Sequence, residues 1–151
     1  MTYFTYYGSI VDDKLRVAAE VLTQILSEPA FNVLRTREQL GYIVSCTSWT
    51  LPGGTERGIR IVIQSEKKPV YLEDRVDAFL DEMKARLETM DESEFEVHKS
   101  SLENKWLEAD KNLSEEVSRY LVHVRSGHLD FFISTCPSLL NFATISHIKI
   151  K

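Results

Sequence analysis

Gly58-Ile59-Arg60-Ile61-Val62-Ile63-Gln64 decides the fold class of this chain. Isoleucine stands at every second position. Successive strand side chains point to opposite faces, so Ile59, Ile61 and Ile63 form an apolar face and Arg60, Val62 and Gln64 the other. Just upstream, Leu51-Pro52-Gly53-Gly54-Thr55 is a strong turn signal. Before it, Tyr42 to Trp49 carries Ile43, Val44 and Cys46 and predicts a second strand. The two strands and the turn predict an antiparallel hairpin with a wide loop. Tyr3 to Tyr7, aromatic with an included Thr, predicts a third strand.

Working outward, the helices follow from periodicity. Pro69 introduces a stripe of Leu72, Val76, Phe79, Leu80, Met83, Leu87 and Met90 at steps of three and four, the spacing of one helical face. Asp91-Glu92-Ser93-Glu94 resembles a capping box and opens a helix with Phe95, His98, Leu102, Trp106 and Ala109. Ser114 is the expected cap of a further helix bearing Val117, Tyr120, Leu121 and Val124, with Gly127 as its stop. On the N-terminal side, Asp12-Asp13 caps a helix with Leu15, Ala18, Ala19, Leu22, Ile25 and Leu26. Pro29 is expected to end it and to open a short helix through Phe31, Val33 and Leu34 that stops near Gly41. This order predicts an α+β fold, an antiparallel sheet with helices on one face that bury all of these stripes. From Phe132 onward the apolar residues lose their period.

The chain has 151 residues, 43% of them hydrophobic, which suits one domain with a real core. No apolar run reaches the roughly 20 residues that cross a bilayer, and the N-terminus lacks the layout of a secretory signal. The formal net charge is −5, from 23 acidic and 18 basic residues, which disfavours a nucleic-acid partner, since phosphate binding needs clustered Lys and Arg. Cys46 and Cys136 form no CxxC pair and read as reduced apolar residues. The expectation is a cytoplasmic protein with no membrane and no nucleic-acid partner.

The search for chemistry within the chain is short. His98, His123, His128 and His147 stand in neither H-E-x-x-H nor H-x-x-E-H, so no metal site is expected. G-x-S-x-G is absent, and Gly53-Gly54 is followed by no phosphate-binding Lys. One segment does combine chemistry with a junction: Leu34-Arg35-Thr36-Arg37-Glu38-Gln39-Leu40-Gly41-Tyr42-Ile43-Val44 links a short helix to a strand. Arg35 carries a permanent charge and five donors, and Tyr42 a phenolic O–H. Gly41 suits a positive φ or a close backbone approach. Two readings stay open from the residues alone. Either Arg35 pairs with a neighbouring glutamate while Tyr42 covers the sheet, or both groups line one side of a cleft.

The same segment resembles L-R-T-[KR]-E-Q-L-G-Y-I-V, found in the C-terminal half of the pitrilysin/insulinase family of zinc metallopeptidases. Flanking stretches are similar too: Ile25-Leu26-Ser27-Glu28-Pro29 with Phe31-Asn32, Ile61 to Lys67, Tyr71 to Leu80, and Leu113 to Glu116 with Tyr120. The resemblance runs to about Phe131. It divides the chain into 1–131, part of the last peptidase-family domain, and 132–151, a divergent tail in place of the family's final helix. It implies a sandwich like that of mitochondrial processing peptidase, here incomplete.

It also implies roles. Arg35 and Tyr42 occupy the positions of an arginine and a tyrosine that bind peptide substrate in the family, and Tyr42 would act catalytically as oxyanion donor. No cofactor is expected on this chain; zinc would sit in a partner N-terminal half, on an inverted H-x-x-E-H motif. The expected partners are peptide substrate and that zinc-bearing half or a full-length relative. The leading expectation is a substrate-engaging segment of a zinc metalloendopeptidase, inactive alone. The alternative is a catalytically inactive binding or assembly module that pairs with a related peptidase half.

Overall fold

A computed structural model describes residues 1–9, 13–50, 56–126 and 140. The turn at 51–55, Asp12, Gly127, His128, Cys136 and His147 lie outside the described residues, as does the 132–151 tail apart from Leu140. The elements run β1 (Thr2–Ser9), α1 (Asp13–Ala30), a π-helical segment (Phe31–Arg37), β2 (Ile43–Thr50), β3 (Glu56–Gln64), α2 (Pro69–Thr89), α3 (Glu92–Leu107) and α4 (Leu113–Ser126). The α+β class follows from this order.

The sheet has three strands in the order β1-β3-β2, both pairings antiparallel. The strand with the alternating isoleucines is therefore the central one. Ile59, Ile61 and Ile63 are buried on the face covered by helices, and Val44 and Cys46 of β2 join them. Gly58 is required by β1: a Cβ there would lie 1.9 Å from the Thr5 carbonyl oxygen, beside the register shift between Tyr6 and Gly8.

α1 packs on the sheet through Val17, Ala18, Val21, Leu22, Ile25 and Leu26, all but excluded from solvent. α2 buries its expected stripe from Leu72 through Leu87, and Met90, directly after the helix, is buried too; each large side chain contributes about 1.5–3 kcal/mol of transfer free energy. Pro69 occupies the first turn, where its missing N–H costs no bond. The Tyr3 hydroxyl donates to Asp77 Oδ1 at 2.6 Å and ties β1 to α2; this bond to a carboxylate pushes the Tyr3 phenol up to about 12. α3 buries Phe95 and Leu102, and Leu140 is also part of the core.

Three expectations are corrected. Pro29 does not end the first helix: α1 continues to Ala30 with Pro29 inside it. Proline removes one donor from the helical ladder, and directly after it the coil widens to π geometry instead of stopping, closing with Glu38 N–H on the Val33 carbonyl at 2.9 Å. Ser114 is not the cap of α4. Asn112 Oδ1 accepts from Glu115 N–H at 3.0 Å, and the Glu115 carboxylate accepts from Asn112 Nδ2 and Lys111 N–H, a reciprocal arrangement akin to a capping box, centred two residues before Ser114. The helices also fail to bury every stripe. On α4, Val117, Tyr120, Leu121 and Val124 are exposed, as is Leu113.

Candidate functional site

The π-helical segment and the start of β2 bring the two singled-out side chains together. The Arg35 guanidinium carbon lies 4.7 Å from the Phe31 ring centre and 5.3 Å from that of Tyr42. Both distances fall within cation–π range. Arg35 is half-buried, whereas Tyr42 is 81% exposed. The two groups therefore lie on one side of the junction, with the phenol in solvent.

The neighbouring charges bear on one of the two readings, the pairing of Arg35 with a glutamate. Glu38 accepts two hydrogen bonds from Arg75 of α2, at 2.7 and 2.6 Å, and this fork holds the Glu38 carboxyl below its ordinary range. Arg37 pairs with Glu82 of α2 at 2.9 Å. Both clamp the turn to α2. Arg35 joins neither pair: among the described residues it makes ring contacts but no ion pair. Its fork of donors is held by stacking and left open to an acceptor.

Gly41 is set by close approach. A Cβ there would sit 2.0 Å from the Gln64 carbonyl oxygen. The left-handed backbone of this turn falls instead on Gln39, with φ 52°. Such a φ is uncommon for a residue bearing a side chain and marks a turn held in place by its surroundings. Here those surroundings are the Arg75 and Glu82 clamps and buried Leu34 and Leu40.

Beside this junction a cleft of about 1000 Å³ opens between the end of α1, the π segment, β2, α2 and α3. Glu28, Phe31, Cys46, Thr47, Glu82 and His98 border it. Cys46 is buried, which pushes its thiol up to about 12 and keeps it protonated at neutral pH. Sequence reading missed three features: the stacking role of Phe31, the clamps from α2, and the cleft. Only the first had a local signal, an aromatic one turn before Arg35 on a helix.

Among the described residues no three His, Cys, Asp or Glu side chains converge on a possible metal position. No helix among them is long and apolar enough to cross a membrane.

Sheet, covering helices and junction define an α+β domain of the kind found in pitrilysin. That solved structure matches 97% of this chain, and 16% of its own length, at TM-score 0.79 and 25% identity. The chain belongs to the pitrilysin/insulinase family, in its C-terminal half: the family of PQQ synthase PqqF-like proteins, C-terminal lobe domain 4, matches residues 21–121. Among similar proteins, the insulin-degrading enzyme of Homo sapiens is 45% identical over 112 residues, 74% of this chain and 11% of its own length. The A-factor-processing enzyme of Saccharomyces cerevisiae is 38% identical over 122 residues, 81% of this chain and 12% of its own. The chain thus spans about an eighth or less of the length of these two relatives.

Proposed function

We propose that this chain is the substrate-engaging part of a zinc metalloendopeptidase, holding peptide for chemistry completed by a zinc-bearing N-terminal half. The observation that supports the reading is the Arg35–Tyr42 pair, with a stacked guanidinium that makes no ion pair among the described residues and an exposed phenol beside it. Arg35 would donate to a peptide carbonyl near the scissile bond. Tyr42 would donate its O–H to the same region, where negative charge develops on the attacked carbonyl oxygen. A donor placed where charge appears lowers the barrier more than one that binds the ground state. The metal chemistry belongs to the partner half, and the chain alone cleaves nothing. Buried Cys46 suits a reducing, cytoplasmic setting.

The test is hydrolysis of a fluorogenic peptide by a separately produced zinc-bearing half, with and without this chain. Cleavage that rises when the chain is added supports the proposal. Zinc-dependent cleavage by the purified chain alone contradicts it.

A second reading, a binding or assembly module without a part in catalysis, is favoured by the apolar side chains left exposed on α4. It holds if the Arg35→Ala and Tyr42→Phe chains stimulate hydrolysis as well as the unmodified chain does.

A further inference from the structure

The helices cover one face of the sheet, that of Ile59, Ile61 and Ile63. The strand register gives the residues of the other face. Phe4 and Thr47 stand opposite Arg60, Tyr6 and Trp49 opposite Gly58, and Ile43 opposite Gln64. Phe4, Tyr6 and Ile43 are 51%, 66% and 48% exposed. The Phe4 and Trp49 rings lie 4.7 Å apart between centres. Their strands flank β3, so the rings meet over the central strand, where Gly58 has no side chain to part them. Arg60 sits beside them, half-buried, with its Nε buried and without a hydrogen-bond partner. It makes no ion pair among the described residues, and none of the residues paired across this face is acidic. A guanidinium so placed gains from an acceptor brought to it.

α4 presents the complementary case. Val117, Leu121 and Val124 recur at steps of four and three, with Leu113 and Tyr120 beside them, and all five are exposed. A helix of roughly 12–15 residues is marginal in water unless packing buries its apolar side. α4 has 14 residues, and none of those with a described exposure is buried. Glu116 borders the stripe and has no ion pair among the described residues. Its neighbours are committed: Glu115 closes the helix start and Arg119 pairs with Asp110.

We infer that α4 of one copy of this chain docks on the outer sheet face of a second copy. Val117, Leu121 and Val124 cover Phe4, Tyr6 and Trp49, and Glu116 meets Arg60. A helix laid over an open sheet face buries both apolar surfaces at once. The carboxylate–guanidinium contact fixes its position. Two α4 helices packed on each other would leave the sheet face and Arg60 as they are. Two sheet faces packed on each other would bring Arg60 together with its own copy and no carboxylate between them. The contact joins two different surfaces, so it is head-to-tail. It is independent of the role proposed for Arg35 and Tyr42.

The test is sedimentation velocity on the whole chain across about a hundredfold range of concentration. The original chain is expected to gain mass as concentration rises. Arg60→Glu places like charges in contact and weakens association by about tenfold or more. Leu121→Asp does the same from the helix side, at a position that buries nothing in the chain's own core. Arg60→Glu combined with Glu116→Arg restores association, which a misfolded Arg60→Glu chain could not do. A chain that stays monomeric throughout overturns the inference, as does a double variant that associates no better than Arg60→Glu. Association lost in Leu121→Asp but unchanged in Arg60→Glu assigns the contact to α4 against α4 and also overturns it.

Discussion

The Arg35 guanidinium carbon stands 5.3 Å from the centre of the Tyr42 ring while the adjacent Arg37 and Glu38 are both bound to α2. In this turn the flanking charges hold the backbone, and the one guanidinium not used for that purpose rests on aromatic rings. The following expectations test that division.

Gly41 and Gln39 should respond in opposite directions. Gly41→Ala forces a Cβ to within 2.0 Å of the Gln64 oxygen, and is expected to cost about 1–3 kcal/mol in urea unfolding. Gln39→Gly relaxes a backbone at φ 52° and should raise stability by up to about 1 kcal/mol.

The Glu38–Arg75 clamp makes stability depend on acid. The folded-state pKa of Glu38 lies below its ordinary value, chiefly through the Arg75 hydrogen bonds. Such a group stabilises the fold above its unfolded pKa and loses that effect as pH falls through the folded pKa. Glu38→Gln should therefore melt below the original chain near neutral pH. The gap should close as pH is lowered below about 4, read by thermal unfolding at successive pH values.

Cys46 should be inert while the chain is folded. Its thiol, pushed up to about 12 by burial, is almost wholly protonated at pH 8. In a Cys136→Ser background, alkylation by iodoacetamide is expected only after denaturant unfolds the sheet.

Arg35→Ala should lower kcat/KM of the combined halves by roughly 10- to 100-fold, the range of a lost hydrogen bond to a charged group. Arg35→Lys should recover little of it, because a point charge reproduces neither the fork nor the stacking on Phe31 and Tyr42. Steady-state kinetics on one peptide measures both.

Periodicity made much of the fold legible. The alternation in β3 and the α2 stripe each specify a face, and both faces are buried where the pattern puts them. Pro29 misled because a proline rule describes a ladder of i to i−4 bonds, and this coil escapes into wider turns. The α4 stripe misled for another reason: spacing tells which face is apolar but not whether anything covers it. At the junction, Arg35 and Tyr42 were visible as a pair because a short turn joins them. Their freedom was not, since it depends on Arg75 and Glu82, far along the chain and marked by no local pattern.

The Tyr42 hydroxyl carries the central claim, and kcat for a peptide with the zinc-bearing half present measures it most directly. Tyr42→Phe keeps the ring over Arg35 and removes only the O–H. The account predicts a fall in kcat of about 10²–10³-fold with KM little changed. An unchanged kcat, or a loss confined to KM, would contradict it.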